Sequence, residues 1–128
     1  MYNLKNKKGI IFGATGFIGQ KLSYELSKLD CKLILHGQSI EKLSELDNKI
    51  QKIKKSQILV QGDLNNENFY KNLAQSISTR FQKINFLFIL IGLFQRLSPL
   101  THFSHQEWGK LVEININCYW RKIGRAHV

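Results

Sequence analysis

A doubly wound α/β fold built on a parallel sheet is the fold class predicted for this 128-residue chain. Two observations predict it. Short apolar runs alternate along the chain with longer amphipathic ones, the pattern that βαβ units produce. A glycine-spaced turn, "FGATGFIG", falls where the first apolar run gives way to the first amphipathic one.

The elements follow in order. "KGIIFG" is the first strand, and the helix after it carries an apolar stripe of Ile18, Leu22, Leu26 and Leu29 at helical spacing. "KLILHG" is the second strand. Ser39 is a good N-cap for a second helix that sets Leu43, Leu46, Ile50 and Ile53 on one stripe. "QILVQGD" is the third strand, and Phe69, Leu73, Ile77 and Phe81 recur four apart on the helix that follows. The most apolar run, "INFLFILIGLF" (84–94), is far short of the ~20 residues a spanning helix needs and reads as a fourth strand buried on both faces. A loop holding the only proline, Pro99, leads to a last helix opened by a capping box of Ser104 and Glu107. Right-handed crossovers order the strands 3-2-1-4, four of the six strands of a complete doubly wound sheet.

Composition narrows the function classes. With 43% hydrophobic residues, the chain has enough apolar surface for one domain core. A net charge of +10 favours anionic partners, among them nucleic acid, acidic membrane and phosphorylated cofactors. Most of it is lysine in clusters such as "KNKK" (5–8) and "KIKK" (52–55), at a strand entrance and a helix end, where solvated lysines are usual. No recognition helix or base-stacking surface is evident, which ranks specific nucleic-acid binding low. Cys31 and Cys118 lack C-x-x-C partners, so neither a disulfide framework nor a zinc site is indicated, and a reducing cytoplasm fits. The N-terminal apolar stretch is broken by glycines and Thr15 and reads as a strand, not a signal peptide.

The chemistry sits in the glycine turn. Gly13, Gly16 and Gly19 stand as G-x-x-G-x-x-G between strand and helix. Such a turn needs glycine for its tight bend, for close approach of backbone to a pyrophosphate, and for helix–strand packing. The helix N-terminus then offers unpaired N–H groups to phosphate.

In this context residues 9–121 resemble the N-terminal half of a short-chain dehydrogenase/reductase, most like a bacterial member of the classical type, with a Rossmann-like fold. Four stretches carry the resemblance: "GATGFIG"; "LHGQS" at the end of strand two; "GDL" (62–64); and "SPLTHFSHQEWGKLVEIN", in which Trp108 stands seven residues before Asn115. The resemblance implies that Gly13, Thr15, Gly16, Phe17, Ile18 and Gly19 cradle the pyrophosphate of an NAD(P) cofactor, Thr15 through its hydroxyl as well. Classical members carry the second glycine one position later, where Phe17 stands; the spacing here is that of extended members. Gly37 occupies the place of the acid that grips the ribose hydroxyls in NAD-preferring relatives, which leans the reading toward NADP(H). Gln38, followed by Ser39, replaces the arginine common in NADP-preferring relatives. Asp63, with Leu64 beside it, is implied to accept a hydrogen bond from the adenine amine; a loop residue capping the next helix is the alternative on turn chemistry alone.

Strand four departs from the family pattern. Leu90, Ile91 and Gly92 replace its Asn-Ala-Gly, so only Gly92 remains to line the nicotinamide ribose. Asn115 resembles the family's helix-four asparagine, whose main chain kinks the helix and holds a water of the proton relay. The catalytic serine and Tyr-x-x-x-Lys of the family have no counterpart here. Tyr24 and Lys28 spell that motif but fall on helix one, behind the phosphate turn, and are rejected as catalytic. His102 and His105 form an H-x-x-H without further ligands, and no metal site is expected. Trp108 and Trp120 are expected to pack, not to stack on bases.

The chain closes on "IGRAHV" (123–128). That is the translation of a widely used sequencing adapter, ATC GGA AGA GCA CAC GTC, whose next triplet is a stop. Two units are therefore expected: residues 1–121, the N-terminal part of a dinucleotide-binding domain truncated after four strands and helix four, and 122–128, an adapter-derived tail. A genuine short protein with a basic tail is the alternative. The parent is expected to be a cytoplasmic, homo-oligomeric NAD(P)-dependent oxidoreductase of small carbonyl or alcohol substrates. The chain itself is expected to be inactive. A non-catalytic, regulatory dinucleotide-binding protein is the competing class.

Overall fold

Strands and helices alternate along the chain in the computed structural model, which describes residues 3–53, 57–80, 83–92 and 98–117. They are β1 (Lys8–Phe12), α1 (Phe17–Ser27), β2 (Lys32–Gly37), α2 (Ile40–Gln51), β3 (Ile58–Gln61), α3 (Glu67–Arg80), β4 (Phe86–Ile89) and α4 (His105–Val112). A 3-10 turn (Leu100–His102) precedes α4, and a π-helical turn (Glu113–Asn117) follows it. Lys54, Lys55, Phe81, Cys118, Trp120 and the expected tail 122–128 lie outside the described residues.

The sheet has the order β3-β2-β1-β4 with every pairing parallel, as right-handed crossovers require. Successive strand residues point to opposite faces, so the core splits in two. Ile11, Leu33 and Leu35 meet Leu26 of α1 and Leu43, Leu46 and Ile50 of α2 on one face. Ile10, Phe12 and Ile34 meet Tyr70 and Leu73 of α3 on the other. The stripe expected on α2 is therefore the buried one through Ile50; Ile53 lies beyond the end of the helix and is 40% exposed. On α3, Tyr70 joins Leu73 in the core, and Phe69 and Ile77 pack partly against it.

Helix α1 departs from its apolar stripe. Its buried face is Gly19, Ser23, Leu26 and Ser27, while Ile18 is 65% and Leu29 52% exposed. The cause is how closely the helix approaches the turn before it. A Cβ on Gly19 would overlap the Gly13 carbonyl oxygen and sit 2.8 Å from Ala14 Cα, so only small residues fit on that side. Ser23 and Ser27 fit because their hydroxyls bond back to the Gly19 and Tyr24 carbonyls, at 2.7 and 2.6 Å.

Strand β4 also differs from expectation. It is shorter than its apolar run and only partly buried, with Phe88 37% exposed, because its one partner among the described residues is β1. The capping box on α4 is formed as read: Glu107 N–H donates to Ser104 Oγ at 3.1 Å and Ser104 N–H to Glu107 Oε2 at 2.8 Å. No residue of α4 is fully buried; Trp108, expected to pack, is 52% exposed. Ile114 of the π turn is what packs against the second core layer. No helix among the described residues is long and apolar enough to cross a membrane.

Candidate functional site

The parallel register brings the C-terminal ends of the strands to one edge. Phe12 pairs with Ile89, Ile11 with Leu35 and Gly37 with Gln61, so the segments that follow share that edge. In open parallel sheets ligands bind in the crevice outside these ends. Gly13 to Gly19, Gly37 to Ser39, Gly62 to Leu64 and Leu90 to Gly92 all meet here.

The three glycines of the turn are explained differently. Gly13 has φ +80°, and a Cβ there would overlap the Leu90 carbonyl oxygen, so both backbone conformation and the approach of the β4 end exclude a side chain. Gly19 is excluded by the packing already described. At Gly16 a Cβ would meet only the Gly13 carbonyl oxygen, at an ordinary 3.5 Å, and its φ of −71° suits any residue. Nothing among the described residues demands glycine there, and the exposed position leaves room for a ligand to approach the backbone. Gly16 is also the N-cap of α1, with no side-chain cap on the helix's first N–H groups. Those groups, with the helix dipole behind them, suit an anion.

Around the turn the predicted residues take distinct places. Phe17, displaced into the second-glycine position of classical relatives, begins α1 with its ring 95% exposed, and Ile18 projects beside it. Thr15 is half-buried over Gly37: a Cβ on Gly37 would lie 2.9 Å from Thr15 Cγ2, 3.1 Å from its hydroxyl and 3.2 Å from Leu43 Cγ. A side chain at Gly37 would therefore press on Thr15 and Leu43. Gln38 is exposed and its carbonyl accepts from Gln61 Nε2 at 3.0 Å. Ser39 caps α2, accepting from Lys42 N–H at 3.3 Å while its hydroxyl donates to Glu41 Oε2 at 3.0 Å. The backbone N–H of Glu41 and this hydroxyl hold the Glu41 carboxyl below the usual carboxylate range.

Asp63 is exposed on the β3–α3 loop, and its Oδ1 accepts from Asn65 N–H at 2.9 Å. It closes a local turn and does not cap α3; Asn66 does that, through Asn68 N–H at 2.9 Å. Leu64 turns into the second core layer, and its carbonyl accepts from the buried Tyr70 hydroxyl at 2.8 Å. Leu90 continues the sheet, its N–H donating to the Phe12 carbonyl at 2.8 Å, and Leu90 and Ile91 pack toward opposite core layers. Gly92 is exposed, and a Cβ on it would stand 3.5 Å from Asn115 Oδ1. Asn115 lies within the π turn, a local departure from α-helical geometry, with its side chain near Gly92 at the end of β4.

The decoys stay apart from this edge. Lys28 Nζ sits 4.5 Å over the Tyr24 ring and 3.4 Å from Glu25, at the far end of α1. His102 and His105 are exposed, and no cluster of three metal-ligating side chains occurs among the described residues.

One residue of the site was missed from sequence. His36, 1% exposed, lies between the rings of Phe12 and Phe69, tilted 51° and 55° to them with each centroid 5.4 Å away, and its Nε2 lies 2.9 Å from the Gly62 carbonyl oxygen. The signal for it was a single histidine in an otherwise apolar strand, one residue before the site loop.

Comparison with known proteins agrees with this geometry. The family model of short chain dehydrogenases matches residues 7–123. An uncharacterised oxidoreductase of Listeria innocua is 29% identical over 113 residues, covering 88% of this chain and 45% of that protein. Nodulation protein G of Rhizobium meliloti is 26% identical over 122 residues, covering 94% and 48%. The chain thus spans about half the length of the curated relatives it matches. Among solved structures, a short chain dehydrogenase of Bacillus anthracis superposes with TM-score 0.85 at 22% identity, covering 97% of this chain and 51% of that one. An NAD+-bound xylitol dehydrogenase superposes with TM-score 0.89 at 18% identity, covering 98% and 48%. With strand order, glycine turn and family model in agreement, the chain belongs to the short-chain dehydrogenase family.

Proposed function

We propose that this chain is the dinucleotide-binding half of an NAD(P)-dependent oxidoreductase that moves hydride between cofactor and a small carbonyl or alcohol substrate. The observation that carries it is Gly16: a glycine that no packing among the described residues and no backbone strain requires, at the N-terminus of α1 without a side-chain cap, on the edge where all four strands end. Residues 13–19 would hold the pyrophosphate, Gly37, Gln38 and Ser39 the adenosine ribose, Asp63 and Leu64 the adenine side, and Gly92 with Asn115 the nicotinamide side. The cofactor supplies the hydride when bound. The protonating tyrosine and its lysine belong, in this reading, to a parent of about twice the length, and residues 122–128 to an adapter-derived tail. The parent is a homo-oligomer in a reducing cytoplasm, a setting that suits the buried Cys31 thiol, which donates to the Leu26 carbonyl at 2.9 Å.

Two features pull cofactor choice in opposite directions. The missing acid at Gly37 leans toward NADP(H). Glu41, held ionised beside Ser39, places a negative charge near where a 2'-phosphate would lie. The competing class, a non-catalytic dinucleotide sensor, is favoured by Leu90 and Ile91, which give their side chains to the core where the family uses an asparagine.

Titration of the chain with NADPH and with NADH, followed by cofactor fluorescence, tests the reading. Weak saturable binding, with NADPH the tighter, and no turnover of a carbonyl panel are expected. Absence of binding would refute the site, and turnover above blank would refute the half-domain reading.

A further inference from the structure

We propose that His36 is a positioning residue that ties the phosphate turn to the adenine-side loop, acting as a neutral imidazole with its proton on Nε2. The inference rests on the dinucleotide reading above. The ring sits at the end of β2, between the two loops, and is closed off from solvent by Phe12 and Phe69. Gly13 N–H donates to its Nδ1 across a long 3.4 Å. A backbone N–H can only donate, so Nδ1 carries the lone pair and Nε2 carries the proton. Nε2–H then donates to the Gly62 carbonyl at 2.9 Å.

The backbone of the same residue adds to the tie. The His36 carbonyl accepts from Ala14 N–H at 2.8 Å, so two successive amides of the glycine turn are directed at one histidine. With Gly13 and Ala14 anchored to β2, and Gly16 N–H donating to the Gly13 carbonyl at 3.3 Å, the N–H groups left to face a phosphate are those of the first turn of α1. On the other side, Gly62 is fixed through its carbonyl by His36 and through its N–H by the Gly37 carbonyl, at 3.4 Å. Gly62 directly precedes Asp63. The imidazole therefore joins loops that lie 23 and 26 residues away in sequence and would grip opposite ends of the adenosine diphosphate moiety. An imidazolium would turn a donor against the Gly13 N–H, so the bridge works only in the neutral state.

His36→Phe separates bonding from packing, because a phenyl ring of similar size keeps the tilted ring contacts with Phe12 and Phe69 and loses both side-chain bonds. The full chain and this variant are to be compared for NADPH and NADH affinity, thermal melting and exchange of the Gly13 amide. A folded variant with about tenfold weaker dinucleotide binding and about tenfold faster Gly13 exchange is expected. Equal affinity in the folded variant overturns the inference while leaving the cofactor site standing. Failure of the unsubstituted chain to bind either dinucleotide overturns the site and the inference with it. Should the variant not fold, the ring of the unsubstituted chain decides: long-range proton–nitrogen correlation showing the Nε2–H tautomer supports the bridge, and an Nδ1–H tautomer or an imidazolium near neutral pH overturns it.

Discussion

Replacing Gly19 and Gly16 by alanine, one at a time, separates the packing glycine from the glycine proposed to face the cofactor. At Gly19 the new methyl overlaps the Gly13 carbonyl oxygen and stands 2.8 and 2.9 Å from Ala14 Cα and carbonyl carbon. Ordinary contact requires the helix to retreat by roughly an ångström from a turn that is fixed by the β4 end and by β2. Overpacking of this kind costs about 3 kcal/mol, and the better helix propensity of alanine offsets about 1 of it, leaving about 2 kcal/mol of destabilisation. For a domain of this size that lowers the melting temperature by about 10 °C. At Gly16 the methyl meets one atom at 3.5 Å and the backbone is extended, so the cost is confined to the poorer N-cap, about 1 kcal/mol or less. That methyl points to the open edge, and dinucleotide affinity is expected to fall about tenfold. Urea unfolding and cofactor fluorescence on both variants read the two effects. If Gly16→Ala binds NADPH as well as the unsubstituted chain, or destabilises as much as Gly19→Ala, the division of roles is wrong.

Other substitutions probe the frame and the charge around the site. Leu43→Ala removes a fully buried side chain between α2 and the sheet and is expected to cost about 3 kcal/mol in urea unfolding. Ser104→Ala deletes one arm of the capping box and is expected to cost about 1 kcal/mol, read as faster amide exchange confined to the first turn of α4. Because the Glu41 pKa is lowered on folding, its contribution is present above the ordinary carboxylate value and is lost as pH falls through the lowered folded value. A carbon-detected titration should show Glu41 protonating at lower pH than a glutamate in the unfolded chain. Glu41→Gln should remove that step and shift relative affinity toward NADPH over NADH.

Much of the fold was legible because its signals are local. Strand–helix alternation, the stripe of Leu43, Leu46 and Ile50, the Ser39 cap and the Ser104–Glu107 box each depend on residues within a turn or two of one another. The inward face of α1 was not legible from apolar spacing, because a close approach to the glycine turn selects small side chains over large ones. A signal was present: Gly19, Ser23 and Ser27 recur every four residues, a small-residue stripe beside the apolar one. Partial burial of β4 follows from its place at the sheet edge, which hydrophobicity does not encode.

The site divides along the same line. Glycine spacing showed where the turn would form, yet it could not separate Gly13 and Gly19, which packing among the described residues requires, from Gly16, which it does not. That distinction depends on Leu90 and Ala14 as neighbours, and Leu90 is brought to the turn by strand pairing. The absent acid at Gly37 is a parallel case: read alone it concerns cofactor choice, while the contacts of Thr15 and Leu43 show that a side chain there would first have to displace its neighbours. A Gly37→Asp exchange therefore tests packing and specificity together. Glu41→Gln, at an exposed position, is the cleaner probe of whether charge beside Ser39 governs the choice between NADH and NADPH.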